Sequence, residues 1–162
     1  MAVSIRPFEA RDLDRVVDIA LAAWVPIFGS FEKLLGPDLF PVVYPDWKAD
    51  KKRQIVSACG GDRPMDVWVA EKDGLVVGFI TFRMDHGSGI GVIGNNAVHP
   101  DVQAHGIGTR LYELALKRMK EAGMKAAQVG TGGDDSHAPA RRAYEKAGFT
   151  RGIPGVTYYQ TL

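Results

Sequence analysis

The chain has 162 residues, 46% of them hydrophobic and 24% charged, with a net charge of +1 from 20 basic and 19 acidic side chains. That length suits a single domain with a real core, and the composition is that of an ordinary soluble globular protein. The near-zero charge gives no global attraction to nucleic acid or to an anionic membrane, no apolar run approaches the roughly twenty residues of a membrane span, and a single cysteine, Cys59, excludes an intrachain disulfide.

A lone cysteine permits a reducing, cytoplasmic setting, and Cys59 reads better as a small buried hydrophobe than as a catalytic thiol. The N-terminal residues Met1 to Arg6 lack the apolar core of a signal peptide. Val3 to Arg6 reads as a first strand, followed by Pro7. A helix capped by Asp12 or a neighbour is expected to run to about Trp24, because Leu13, Val16, Val17, Ala20 and Trp24 share one face. Residues 25–47 carry Pro26, Gly29, Gly36, Pro37, Pro41 and Pro45, which should break any long helix. The same segment is rich in aromatic side chains, and two readings stay open for it. It is a loop-and-helix lid packed on the core, or a substrate wall that includes Phe28, Phe31 and Tyr44. A further helix is expected from Trp47 to about Ala58, with Lys48, Lys51, Lys52 and Arg53 as a solvated face.

Met65 to Glu71 and Leu75 to Met84 read as two strands around Lys72-Asp73-Gly74, and the Asp-Gly pair is a strong hairpin signal. A second turn, Asp85 to Gly89, leads to a central strand over residues 90–98 with a break at Asn95-Asn96. Next comes Val98-His99-Pro100-Asp101-Val102-Gln103-Ala104-His105-Gly106-Ile107-Gly108-Thr109, and then a helix. Ile107, Leu111, Leu114, Ala115, Met119 and Ala122 define one buried helical face. Gly106 and Gly108 bring no side chains to the start of that helix, where free N–H groups and the helix dipole favour an anion such as phosphate. Glycines at such a turn also serve backbone geometry alone. Leu111 stands where the dinucleotide fingerprint wants a third small residue, and no Walker lysine follows the glycines.

Met124 to Gly130 reads as the next strand. Residues 131–136 form a loop, and a helix starts at about Ala138 with Pro139 in its first turn and ends at Gly148. Val156 to Gln160 is expected to be a final strand. The four histidines and Cys59 show no metal-ligand spacing, so no metal is expected, and no Gly-x-Ser-x-Gly nucleophile elbow occurs.

Two stretches carry a family resemblance. Gln103-Ala104-His105-Gly106-Ile107-Gly108, with its Val98-His99-Pro100 lead-in, resembles the (Gln/Arg)-x-x-Gly-x-(Gly/Ala) motif of the GNAT superfamily of acyl-CoA-dependent N-acetyltransferases. Ala143-Tyr144-Glu145-Lys146-Ala147-Gly148-Phe149 resembles that family's C-terminal (Leu/Ala)-Tyr-x-x-x-Gly-Phe element, in the right order. The opening, Ile5 to Asp12, is also similar to how many members begin. The resemblance implies one α+β domain over residues 1–162, with a mixed, mainly antiparallel sheet flanked by helices. Its two parallel strands would splay at an acyl-CoA site. The loop amides of Gln103, Ala104, His105, Gly106, Ile107, Gly108 and Thr109 would bind the coenzyme A pyrophosphate, and the backbone of Ala97, Val98 and His99 the pantetheine arm. Tyr144 would protonate the departing thiolate, which suits a phenol that is neutral at pH 7. Where many members carry an asparagine that contacts the cofactor, this chain has His137, preceded by Ser136.

The implied reaction is transfer of an acetyl group from acetyl-CoA to a primary amine of a small molecule or peptide, by direct attack in a ternary complex. The alternative is a non-catalytic acyl-CoA-binding or sensing module of the same fold. Some members use a central-strand glutamate as base, whereas this chain has Asn95 and Asn96 there; Asn96 is a candidate for binding the acceptor or orienting water. His86, His99, His137, Asp134 and Asp135 are candidate bases, and none stands out by sequence. Expected partners are the amine acceptor and, as an option, a second copy in a homodimer, with no nucleic acid and no membrane.

Overall fold

The computed structural model describes residues 3–61, 65–103 and 105–162. Five strands, β1 (Val3–Pro7), β2 (Asp66–Lys72), β3 (Leu75–Asp85), β4 (Ile90–Val98) and β5 (Ala126–Val129), form one sheet in the order β1-β2-β3-β4-β5. The first four are antiparallel, and β4 and β5 run parallel. Among the described residues four α-helices accompany them: α1 (Leu13–Val43), α2 (Trp47–Gly60), α3 (Ile107–Glu121) and α4 (Ala138–Lys146). This is the mixed α+β architecture expected from the sequence.

The β2–β3 hairpin turns on Asp73 and Gly74, whose φ values of 53° and 78° are what a tight two-residue turn requires. The β2–β3 ladder slips by one residue, so that Val77 is an extra residue on β3. Side chains alternate along a strand, and a bulge resets the alternation. Val76 and Phe79 therefore face one core, with Val16, Ile19 and Ala20 of α1 and Ile55 of α2. Val77, Ile80 and Phe82 face the other core, with Ile107, Leu111, Ala115 and Met119 of α3 and Tyr144 of α4. The sheet is thus covered on both faces, as a layered domain demands.

Several sequence expectations need correction. Helix α1 does not stop at Trp24 but continues to Val43, with one break at Gly36, where φ is 77°. Pro37 follows as the first residue after the break, a position where its missing N–H is not needed. Pro26 loses one helical bond, and packing of the aromatic side chains around it outweighs that local cost. Because the two helical pieces run together, the helix is long and apolar enough to cross a membrane by length and composition, contrary to the reading of the sequence. In this fold its first turns pack on the sheet, with Val16, Val17, Ile19 and Ala20 buried. Asp12 precedes α1, yet its carboxylate does not cap that helix. It accepts from Arg6 (2.7 and 3.0 Å) and from the backbone N–H of Glu9 (2.8 Å).

The buried face of α3 includes Tyr112, while Leu114 is half-buried and Ala122 exposed. No strand forms at Val156–Gln160. Residues 149–162 contain no helix or strand, and Ile153, Val156 and Tyr158 are exposed. β-rich composition makes a strand only where a ladder partner exists. Here the tail instead meets α1, where the Thr161 hydroxyl donates to Asp38 at 2.9 Å.

Candidate active site

The site begins where the sheet fails to close. Strands β4 and β5 pair from Ile90↔Ala126 to Ile93↔Val129 and no further. On the other side of β4, Ile80 pairs with Asn96 and Phe82 with Ile93, so Gly94 and Asn95 together oppose Thr81. This is a bulge at the expected break, and bulges re-aim the residues that follow them. The Thr81 hydroxyl pins it by donating to the Asn95 carbonyl at 3.0 Å. A Cβ on residue 94 would meet Thr81 Oγ1 at 2.7 Å, which explains a glycine there.

A cavity of about 900 Å³ opens in this gap, at the large end of the range for small-ligand sites. Asn96, Ala97 and Val98 of β4 line it, and so do Gly106, Ile107, Gly108 and Thr109 at the start of α3. Gly106 has φ 71°, the left-handed region that glycine alone enters at little cost. The first bond of α3 runs from the Arg110 N–H to the Gly106 carbonyl, so the donors of Ile107, Gly108 and Thr109 precede the helical ladder. Gln103 also lines the cavity, and its side-chain amide donates to the Val98 carbonyl at 3.1 Å, tying the loop to the end of β4.

Two tyrosines meet Asn96 at the same cavity. The Asn96 amide nitrogen donates to the Gly94 carbonyl (3.1 Å) and to the Tyr144 hydroxyl oxygen (3.1 Å), and Tyr112 donates its hydroxyl to Asn96 Oδ1 (2.9 Å). A carbonyl can only accept, so the bond to Gly94 fixes which end of the Asn96 amide carries the hydrogens. The Tyr144 oxygen is then an acceptor toward Asn96, and the Tyr112 hydroxyl is hydrogen-bonded beside it. Burial raises the phenol of Tyr144 above its ordinary value, partly offset by the hydrogen bonds with Asn96 and Tyr112, and burial raises Tyr112 too. The sequence pattern missed Tyr112. Its position one helical turn after Gly108 was the available signal.

His137, immediately before α4, also lines the cavity. Its Nδ1 lies 2.5 Å from Asp134 Oδ1. Asp134 also receives Ser30 Oγ of α1 at 2.9 Å, the Ser136 N–H at 3.2 Å, and the Ser136 hydroxyl. Burial alone would raise this carboxyl, but the hydrogen bonds from Ser136, His137 and Ser30 prevail and bring it to about 2.

From α1, Ala23, Trp24, Pro26 and Ile27 reach the cavity. Phe28, Phe31 and Tyr44, singled out in the sequence, are not among its lining residues and pack against one another. Phe28 stacks on Trp47 at 4.3 Å and meets Tyr44 edge-on at 5.2 Å, and Phe31 lies 5.5 Å from Phe28 and 5.9 Å from the His137 ring. Phe31 is their link to the site. His99 and His105 do not line the cavity. The His99 ring accepts from the Asp101 N–H at 3.3 Å, and the His105 ring bonds the carbonyl of Gln103 at 2.9 Å. Ala104 lies outside the described residues. Cys59 is half-buried, and burial pushes its thiol up to about 11, as suits a packing residue rather than a nucleophile.

Lys51 departs from the solvated face expected of it. It is buried, donates to Asn95 Oδ1 (3.1 Å) and Gln54 Oε1 (2.9 Å), and lies 4.2 Å from the centre of the Trp24 ring. No acid among the described residues pairs with it, and burial lowers its ammonium to about 8. A lysine lowered in the folded state binds fewer protons there than in the unfolded chain, so stability should rise with pH between about 8 and 10.5. Lys51→Met should remove that part of the rise, read as the difference between the urea-unfolding profiles of the two proteins across that window.

Residues 30–149 match the family model described as the acetyltransferase (GNAT) family. The chain is 34% identical over 95 residues to the mycothiol acetyltransferase of Thermomonospora curvata, which covers 59% of this chain. It spans only 31% of that longer relative. It is 29% identical over 146 residues to the S-(2-succino)cysteine N-acetyltransferase of Bacillus subtilis, covering 87% of this chain and 80% of that one. The fold is similar to that of the PaiA N-acetyltransferase of Thermoplasma acidophilum, solved with coenzyme A. The TM-score is 0.67, with 18% identity over 93% of this chain and 91% of that one.

Proposed function

The chain belongs to the acetyltransferase (GNAT) family, and from that premise we propose that it transfers the acetyl group of acetyl-CoA to a primary amine by direct attack with both substrates bound. The observation that carries this reading is the junction of three features at one cavity: the glycine turn at the start of α3, the unpaired stretch of β4, and the Tyr144 hydroxyl held by Asn96. The residues present fit coenzyme A. The donors of Ile107, Gly108 and Thr109 precede the helical ladder, no atom stands within 4 Å of where a Gly106 Cβ would lie, and β4 has no partner on its β5 side after Ile93.

Acetyl-CoA, when bound, supplies an acyl carbon activated by a thiolate leaving group. The N–H groups at the start of α3, with Gln103, hold its pyrophosphate. The backbone of Ala97 and Val98 takes the pantetheine arm as an added strand would be taken, by main-chain hydrogen bonds. Tyr144 holds its hydroxyl proton for the departing sulfur, with its oxygen fixed by Asn96. Fixing both reactants in one cavity removes most of the entropic cost of their encounter. Phe28, Phe31 and Tyr44 frame the acceptor side, reaching the site through Phe31 beside His137.

The names of the two curated relatives direct the choice of acceptors toward amines of thiol-derived amino compounds. Thiol release from acetyl-CoA should be followed with S-(2-succino)cysteine, other S-substituted cysteines, polyamines, aminoglycosides and peptide N-termini. Acetyl-CoA-dependent thiol release matched by acetylated amine is expected with at least one class. Tight binding of coenzyme A with no release on any of them would overturn this reading in favour of a non-catalytic acyl-CoA-binding module.

A further inference from the structure

We propose that His137, oriented by Asp134, is the general base that deprotonates the amine. The proposal rests on the acetyl-transfer reading, and it assigns His137 a role other than contact with the cofactor. An amine enters at neutral pH as an ammonium, which has no lone pair with which to attack. The side chains lining the cavity that titrate are His137, Tyr112, Tyr144 and Lys146, and only a histidine accepts a proton readily near neutrality. The other candidate bases, His86, His99 and Asp135, do not line the cavity.

The geometry around His137 is that of an oriented base. The carboxylate of Asp134 can only accept, so the 2.5 Å contact places the ring hydrogen on Nδ1 and leaves the lone pair on Nε2. No described residue hydrogen-bonds Nε2. Asp134 is itself held by Ser30, a residue 104 positions away in the sequence, and by Ser136. Arg141 of α4 donates to the carbonyls of Gly132 (2.7 Å) and Asp134 (2.8 Å), fixing the loop that carries the pair. A Cβ on residue 132 would collide with both His137 and Asp134, so the loop is moulded against them. Asp134 is the charged group in contact with the ring; Arg141 of α4 bonds the loop carbonyls beside it, and α1 contributes the uncharged Ser30, on Asp134, and Phe31, against the ring. A carboxylate held near 2 stays ionised at any working pH and stabilises the imidazolium when it forms.

The substrate ammonium gives one proton to Nε2, leaving a neutral amine and an imidazolium. The amine nitrogen forms a bond to the acetyl carbon as the carbon–sulfur bond breaks, and the sulfur takes the Tyr144 hydroxyl proton. The nitrogen, acidic once acylated, gives up a second proton through water to restore the Tyr144 hydroxyl. One amide and one thiol result, and His137 returns one proton to solvent.

The test compares wild type with His137→Gln and Asp134→Asn, using acetyl-CoA and whichever amine of the panel above the wild type acetylates best. At pH 7 the glutamine variant should lose on the order of a hundredfold in kcat/KM for the amine, with coenzyme A affinity by calorimetry unchanged. The deficit should close as pH rises toward the pKa of the amine, because bulk water then supplies the neutral form. Asp134→Asn should lose on the order of tenfold. Nitrogen-15 spectra of the free wild-type ring should show the hydrogen on Nδ1, and in Asp134→Asn that preference should be lost. A deficit equal at every pH, a fall in coenzyme A affinity that accounts for the loss, or a wild-type ring protonated on Nε2 would each overturn the assignment. A wild type that releases no thiol with any amine would instead overturn the acetyl-transfer reading beneath it.

Discussion

Replacing Tyr144 by phenylalanine is expected to lower kcat by at least about tenfold, and by on the order of a hundredfold if the hydroxyl supplies the whole general-acid effect. The substitution keeps the ring. The packing of Tyr144 on Tyr112 (5.2 Å between ring centres) and on Phe149 (6.2 Å) should therefore survive, and coenzyme A affinity should stay close to that of wild type. What disappears is the hydroxyl that accepts from Asn96 at 3.1 Å, together with its proton. The pH profile sharpens the test. Burial raises the Tyr144 phenol, so the protonated acid form persists above the ordinary tyrosine range, and wild-type activity should fall only at high pH as the phenol ionises. The phenylalanine variant should lack that alkaline limb. Superimposable profiles with an unchanged kcat would remove Tyr144 from the chemistry, and a lowered melting temperature with kcat preserved would make it a packing residue. Equal losses in kcat and kcat/KM would mark an interaction made in the transition state.

Replacing Gly108 by valine should weaken coenzyme A binding at least about tenfold, or about 1.4 kcal/mol, with little change in melting temperature. A Cβ at residue 108 would come no nearer than 3.9 Å to Tyr112 Cε2 and 4.0 Å to Val98 Cγ2, ordinary contact distances. The fold therefore accepts a side chain there, and the added methyls fall where the proposed pyrophosphate approaches the helix N–H groups. Gly108→Ala should give a smaller loss in the same direction. Gly106 offers the contrast. Its φ of 71° makes any side chain strained, so Gly106→Ala should cost about 1–2 kcal/mol of stability before any ligand is added. Calorimetry with coenzyme A and thermal unfolding separate the two cases. Unchanged affinity in Gly108→Val would remove the phosphate assignment from the glycine turn.

The sequence was most informative where a local pattern has a single physical meaning. The Asp73-Gly74 turn, the strand at Ile90–Val98, the glycine pair at the start of α3 and Pro139 in the first turn of α4 stand where the pattern placed them. It misled where tertiary packing competes with a local signal. Pro26 signals a helix end, yet α1 continues because Phe28 packs against Tyr44 and Trp47. Lys51 sits in a run of cations that reads as a solvated face, yet it is buried against Trp24 and Asn95. Val156 to Gln160 has the composition of a strand, but a strand is a property of a pair, and no partner lies beside it among the described residues.

By itself the sequence determined the scaffold of the site. Residue chemistry at short range sets where a backbone turns, where a helix starts with bare N–H groups, and where a phenol stands on a helical face. Only the tertiary structure decided how the functional groups meet. Asn96 joins Tyr112 and Tyr144, Ser30 joins Asp134, and Phe31 joins His137, contacts spanning from 16 to 106 residues of chain. No periodicity encodes such pairings. They follow from two bulges that reset which way β3 and β4 aim their side chains, and from the parting of β4 and β5 after Ile93 and Val129. Direction of a side chain across a gap is a global property, set when the layers pack, and it is what makes a histidine in a loop a candidate base rather than one more polar residue.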